Sequence, residues 1–246
     1  MTMKINKVHC FFEQSGTFKN QFQKLGFDAY DYDIQNEYGE TDYVCDLFSE
    51  IESAFDGKPS IFDLISKDDL IMAFFPCIFF SCQSQMGIYF SYVNYRNYST
   101  MEKAKAILKR SANREKFFAI AVKMFAVVLD RGLRLIMENP WSEQTFLKNN
   151  FVLPPSYVDM DRSKRGDYFK KPTAFWFLNC DPHLGYTFTP NRNVKRINDW
   201  KRGKAAGICS KERSEISPLY AYNFICDQII GCRNINEKQL TLFDNL

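Results

Sequence analysis

VHCFFEQSGTFKNQFQKLGFDAYDYD, residues 8–33, carries the information that decides the fold. Val8 to Phe12 is a short apolar run and reads as a buried strand, and Glu13-Gln14-Ser15-Gly16 reads as a turn. Thr17 to Leu25 sets Phe18, Phe22 and Leu25 on one face at helical spacing, and Gly26 ends that helix. Phe27 to Tyr32 alternates as a second strand and closes on Asp33. Strand, glycine-bearing turn, helix, strand and terminal acid form the unit from which parallel α/β sheets are built.

The same rhythm continues outward. Tyr43 to Leu47, Leu70 to Phe75 and Leu133 to Met137 are predicted strands, and Met101 to Asp130 is long and periodic enough for two helices meeting near Asn113. Ala174 to Asn179 (AFWFLN) is a further strand, whereas residues 180–212 are polar, basic and glycine-dotted, as in a long loop or small subdomain. Ser217-Pro218 starts a helix with an apolar face from Leu219 to Ile230, and Gly231 stops it. The predicted class is α/β, a mostly parallel twisted sheet with helices on both faces.

Composition bounds the rest. With 246 residues, 46% hydrophobic and 25% charged, the chain can bury one substantial core, which excludes disordered and collagen-like classes. No internal repeat suggests a solenoid. The longest apolar stretch, Leu70 to Ser81, holds about ten apolar residues where a bilayer needs roughly twenty. Met1 to Lys7 has no signal-peptide character, so the expectation is a cytoplasmic protein without a membrane span. Eight cysteines without close pairs predict neither a disulfide framework nor a metal site. The net charge of +3 hides an asymmetry: residues 162–213 hold thirteen Lys and Arg against four Asp and Glu, a balance of +9, leaving −6 elsewhere. Beside Tyr168, Phe169, Phe175, Trp176, Tyr186 and Trp200, that segment suits a phosphate backbone with stacked bases, and a solvated lysine-rich surface accounts for the charge equally well.

In a parallel sheet, ligands sit beyond the carboxyl ends of strands, and three groups fall there. Glu13 to Gly16 follows the first strand and Asp33 the second. Backbone amides in such a turn can approach a ligand and the acid can bind two ribose hydroxyls, although Gly16 also suits a plain turn. Pro76-Cys77 follows Leu70 to Phe75, where a thiolate can act as nucleophile; the alternative is a cysteine packed among Phe74, Phe75, Phe79 and Phe80. Glu138-Asn139-Pro140 follows LRLIM, where an acid in a partly dry cleft has a raised pKa; the alternative is a capping or salt-bridged glutamate.

Taken in order, these groups resemble the DNA cytosine 5-methyltransferase family, in a short form. Cys10 to Phe18 (CFFEQSGTF) falls on the family's Asp-Leu-Phe-x-Gly-x-Gly-Gly-Phe, Phe74 to Ser81 (FFPCIFFS) on its Gly-Phe-Pro-Cys-Gln-x-Phe-Ser, and Glu138-Asn139-Pro140 on its Glu-Asn-Val. The resemblance implies a Rossmann-like class I methyltransferase that binds S-adenosyl-L-methionine and acts on DNA. It implies Phe12 stacked on adenine, with Ser15, Gly16, Thr17 and Phe18 lining the cofactor loop. Asp33 followed by Ile34 would hold the ribose, with Asp31 as fallback, and Asp46 would read the adenine amine. Ser214, in the stretch Arg213 to Pro218, falls in the last motif and would complete the pocket. Cys77, displayed by Pro76, would add to carbon 6 of cytosine while Glu138, beside Asn139, protonates ring nitrogen 3. The basic segment would face DNA through Arg162, Arg165, Lys170, Lys171, Arg192, Lys195 and Arg196.

The chain departs from the family pattern at Cys10 (for aspartate), Gln14 (for glycine) and Ile78 (for glutamine). The Gln-x-Arg-x-Arg motif falls on Phe169-Lys170-Lys171-Pro172-Thr173, so Lys171 keeps one phosphate contact while Arg162 or Arg165 substitutes for the arginine lost at Thr173. The resemblance divides the chain into a catalytic domain, 1–179 with 212–246, and a basic loop or vestigial target-recognition segment, 180–211. That shortness implies a protein partner for target recognition and a phage or restriction-modification setting. Two other readings stay open. One is an amino-methyltransferase that grips an exocyclic amine with Asn139-Pro140-Trp141, and the other a non-catalytic nucleic-acid-binding module.

Overall fold

The computed structural model describes residues 4–81, 97–143, 145–195, 212 and 214–231. Seven strands, β1 (Lys7–Phe11), β2 (Asp28–Asp33), β3 (Tyr43–Val44), β4 (Leu70–Phe74), β5 (Arg134–Pro140), β6 (Tyr157–Asp159) and β7 (Thr173–Leu178), form one sheet in the order β3-β2-β1-β4-β5-β7-β6. All neighbouring pairs are parallel except those of β7, which runs against both β5 and β6. The helices are α1 (Thr17–Lys24), α2 (Leu47–Phe55), α3 (Thr100–Arg131), α4 (Phe146–Asn150) and α5 (Pro218–Phe224), the last continued by a π-helical turn, Ile225–Ile230. The expected α/β class, a mostly parallel sheet between helices, is the one observed.

Strand alternation divides the apolar residues between two cores. Phe11, Ile71, Ala73, Leu135, Met137 and Trp176 meet α2 and α3 on one face, while Val8, Cys10, Met72, Ile136 and Phe175 meet α1 and α5 on the other. Because β1 feeds a helix on one face and β4 a helix on the opposite face, the chain parts between these two neighbours. A crevice at the carboxyl ends of strands is expected at such a switch point.

Several expectations need correction. The strand drawn from Tyr43 to Leu47 is only Tyr43–Val44, because Asp46 caps α2 by accepting the Phe48 N–H at 3.1 Å and the Ser49 hydroxyl at 2.7 Å. Met101 to Asp130 is a single helix rather than two; Ser99 and Glu102 form a capping box at its start and Gly132, at φ 64°, closes its end. Helix α4 and strand β6 went unpredicted. Residues 181–194 form no strand or helix, and residues 196–211 lie outside the described residues. Among the described residues, no helix is long and apolar enough to cross a membrane, and no group of three metal-ligating side chains occurs.

Candidate functional site

The first wall of the crevice is the loop after β1. The Phe12 N–H donates to the Tyr32 carbonyl at 2.8 Å, tying the loop to the end of β2. Phe12 then turns through the left-handed region (φ 58°), and its half-buried ring meets Phe48 and Phe75 edge-on at 5.9 and 5.3 Å. Glu13 is buried and accepts the Phe18 and Lys19 N–H groups of the first turn of α1 at 2.7 and 3.1 Å, where a carboxylate meets unsatisfied donors and the positive end of the helix dipole. Burial nevertheless dominates and pushes its pKa up to about 7. Burial pushes the Cys10 thiol pKa well up, and the nearby Glu13 charge adds to the effect. Sequence reading missed Glu13 as a cap; an acid just ahead of a helix N-terminus was its signal. Gly16 is required: at φ 63°, a Cβ there would stand 3.0 Å from the Asn20 amide and 3.1 Å from the Glu40 carboxylate.

Asp33 ends β2 half-buried, accepts the Gln35 N–H at 2.8 Å, and has its pKa raised by burial. Ile34 beside it is 64% exposed. The fallback, Asp31, is excluded from ligand contact because it is fully buried, pairs with Lys19 at 3.1 Å, and accepts the Asp42 N–H on its carboxylate while its own N–H donates to the Asp42 carboxylate. Ser15 is exposed and its hydroxyl meets that of Thr17 at 2.9 Å. Phe18 does not line the loop, since it is buried under α1 with its ring 4.7 Å from Phe74, and its assignment to the cofactor site is corrected to the core. Asp46 holds the α2 cap described above, and Ser214 is exposed ahead of α5.

The second wall belongs to β4 and β5. Phe74 pairs with Glu138, so Pro76-Cys77, just past β4, emerges beside the end of its parallel neighbour. Cys77 is half-buried and its carbonyl accepts the Phe80 and Ser81 N–H groups in a tight turn. The Asn139 amide donates to the Phe75 carbonyl at 2.9 Å and binds the two strand ends together. The Asn139 carbonyl oxygen is buried without a hydrogen-bond partner among the described residues, an acceptor awaiting a donor. Glu138 is buried, and desolvation raises its pKa against the opposing pull of Lys171 and Arg162.

The third wall is the basic segment, and here several expectations fail. Arg162 and Arg165 sit in a 3-10 turn, Arg162–Arg165, and both are fully buried, so neither is a surface grip for phosphate. Arg162 is clamped by Asp167, stacks over Tyr220 at 5.1 Å, and reaches Thr173 Oγ1 at 3.3 Å and Glu138 Oε1 at 3.9 Å. Arg165 instead spans Asp159 (3.3 Å) and Asp227 (2.8 Å) and donates to the Tyr157 hydroxyl. Of the two proposed substitutes for the missing family arginine, only Arg162 reaches the glutamate. Lys171 precedes β7, whose first residue Thr173 pairs with Pro140 at the carboxyl edge; the Trp141 N–H donates to Pro172 and fixes the approach. Burial lowers the Lys171 pKa, Arg162 lowers it further, and Glu138 and Cys77 work in the other direction. Lys170 and Arg192 are exposed; Lys195 is exposed too, paired with Glu212 at 2.8 Å, and Arg196 lies outside the described residues.

A separate recess of about 460 Å³, lined by His9, Tyr30, Tyr32 and Tyr43, lies over the β2–β3 side of the sheet and includes none of these groups. Phe12 and Asp33 thus border one side of the carboxyl edge, with Cys77, Glu138, Lys171 and Arg162 on the other. No family model matches this chain, and no curated protein matches its sequence.

Proposed function

We propose that the chain is a Rossmann-like class I methyltransferase that uses S-adenosyl-L-methionine to methylate carbon 5 of cytosine in DNA through a covalent cysteine adduct. The observation that carries this reading is the pairing of Phe74 with Glu138, which brings Pro76-Cys77 and a buried acid to neighbouring strand ends beside the β1–β4 switch point.

The residues present fit the adenosine end of the cofactor. Phe12 offers a half-buried ring, and Asp33 offers a carboxylate at the end of the adjacent strand. When bound, S-adenosyl-L-methionine supplies the methyl group. The chain's own residues prepare the base. The Cys77 sulfur forms a bond to carbon 6, Glu138 delivers its proton to ring nitrogen 3, and the electrons released onto carbon 5 make it nucleophilic. Once carbon 5 carries the methyl group, water accepts the carbon 5 proton, the carbon–sulfur bond breaks to return the Cys77 thiolate, and the proton on ring nitrogen 3 goes back to Glu138. Arg162 stands 3.9 Å from Glu138 and supports the position of its carboxyl from behind. A cytosine inside a duplex is out of reach of such a crevice, so the base must leave the stack. Exposed Lys170, Arg192 and Lys195 are the cations suited to the strand, and with so short a segment between β7 and α5, target recognition falls to DNA shape or to a partner protein.

The test is incubation with S-adenosyl-L-methionine and DNA containing 5-fluorocytosine, followed by a denaturing gel. A covalent band that disappears in Cys77→Ala is expected. Methyl transfer that survives Cys77→Ala would reject the adduct and favour the second reading, an amino-methyltransferase, for which the buried Asn139 side-chain oxygen, unpartnered among the described residues, would accept from an exocyclic amine. DNA binding without transfer to any base would favour a binding module.

A further inference from the structure

Helix α3 leaves the sheet near its midpoint. Phe117 meets Phe48 at 4.9 Å and Phe79 at 4.7 Å, both edge-on, and the Arg114 guanidinium lies 4.5 Å from the centre of the Phe146 ring. These three partners follow β3, β4 and β5 in the chain, so residues 100–113 stand on the carboxyl side, above the exits of the strands that carry Cys77 and Glu138. None of residues 100–113 is buried, and core packing does not account for this half of the helix. Its charge is ordered. Lys105, Lys109, Ala112 and Lys116 recur at i, i+4, i+7 and i+11, which sets three exposed ammonium groups in one line along the helix. Lysines at i and i+4 repel each other and weaken a helix taken alone. Further down the same side, Lys123 pairs with Glu52 of α2 at 3.5 Å, whereas among the described residues none of the other three makes an ion pair. Glu102, the acid next to the line, is held by the Ser99 cap, 2.7 Å from both its N–H and its hydroxyl.

We propose that the line Lys105, Lys109 and Lys116 is a docking track for the phosphate backbone of duplex DNA, held outside the crevice in which the base reacts. From Lys105 to Lys116 the helix rises about 16 Å at 1.5 Å per residue, the length of about five phosphate steps of 3.4 Å along one strand. A polyanion relieves the repulsion within the line, and each phosphate that a lysine neutralises releases a condensed counter-ion. Met101 and Leu108, on the outermost side, are 65% and 70% exposed, but a second copy of the chain seated on them would bring two lysine lines together. The inference rests on the DNA reading for the identity of the polyanion, and goes beyond it by giving the backbone a place on a helix distinct from the segment around Lys170, Arg192 and Lys195.

Fluorescence anisotropy of the full chain with a labelled duplex, titrated from about 50 to 200 mM salt, reads the track directly. Lys105→Gln, Lys109→Gln and Lys116→Gln together are expected to lower the slope of log K against log salt by about 2–3 and to weaken binding at 100 mM salt by about 10²-fold. Glutamine is a good helix former, and unchanged far-UV helicity shows that the loss is one of charge. Arginine at the same three positions is expected to bind like the parent. Lys24→Gln, Lys58→Gln and Lys67→Gln together remove equal charge where α1, α2 and β4 meet the amino edge, and are expected to keep the parent slope. The proposal is overturned by a parent chain that does not bind duplex, an unchanged slope in the α3 variant, an equal loss in the amino-edge variant, or failure of the arginine variant to bind. Loss of binding to phosphatidylserine vesicles with duplex binding intact would overturn it too, and assign the line to a membrane surface. A lowered slope without a 5-fluorocytosine adduct would keep the track and reject cytosine methylation alone, and an adduct with the slope unchanged would do the reverse.

Discussion

Nη1 of Arg162 stands 3.9 Å from Oε1 of Glu138, and both residues are buried. At that separation the arginine leaves the glutamate short of a close bidentate bond, and burial keeps the acid's pKa above the ordinary glutamate range. A protonated Glu138 therefore persists to higher pH than a surface glutamate would allow. For an activity that needs this proton, the rate falls as pH rises through the raised pKa. Glu138→Gln is expected to lower methyl transfer by about 10²- to 10⁴-fold and to abolish that limb of the pH profile, while leaving the urea midpoint close to the parent value.

Arg165 tests the division between buried and exposed cations. Arg165→Met strands the Asp159 and Asp227 carboxylates, and unfolding in urea is expected to show a loss of about 3–5 kcal/mol. Arg192→Ala, by contrast, changes an exposed side chain. It is expected to leave stability within about 0.5 kcal/mol and to lower the salt dependence of DNA binding by about one phosphate contact.

Glu13 gives a pH dependence of stability. Its folded pKa of about 7 lies above the 4.5 of an unperturbed glutamate, so below pH 4.5 both states hold the proton and the group is neutral in effect. Between these values only the unfolded chain releases it, and stability falls as pH rises, by roughly 3 kcal/mol once past pH 7. Glu13→Gln is expected to remove this slope, measured by urea unfolding at pH 5 and pH 8.

Gly185 touches the π-helical turn after α5. Its N–H donates to the Asp227 carbonyl at 3.0 Å, and a Cβ there would stand 2.7 Å from that same oxygen. Because the obstacle is backbone, it cannot rotate away. Gly185→Ala is expected to cost about 1–3 kcal/mol in urea unfolding and to increase proteolysis between residues 183 and 189.

The unit from Val8 to Asp33 was readable because its periodicity changes from strand to helix and back, with a glycine at the turn. Cys77 and Glu138 were readable for the same reason, each adjoining an unmistakable apolar run, although the structure extends β5 to Pro140 and so holds Glu138 within the strand rather than after it. What escaped was set by specific side-chain contacts. Asp46 resembles a ligand acid in sequence and caps a helix in space. Arg162 and Arg165 count toward a basic surface by composition, yet Asp159, Asp167 and Asp227 draw them inside. Burial of a charge depends on which partners it finds, near in the chain for Asp159 and Asp167 and far along it for Asp227, and periodicity does not record that. The antiparallel β7 was likewise hidden, because a strand's direction leaves no trace in its alternation.

Helix α3 has 32 residues, about 48 Å of rise, against roughly 17 Å for the five residues of β4. Its buried residues all fall between Ile120 and Val128, and it descends from the carboxyl side of the sheet to Gly132, where β5 begins. Its first half therefore overhangs the edge on which Cys77 and Glu138 emerge, carrying Lys103, Lys105, Lys109, Arg110, Arg114 and Lys116. A polymer crossing that edge meets a cationic parapet on one side, so its angle of approach is restricted before any base is read.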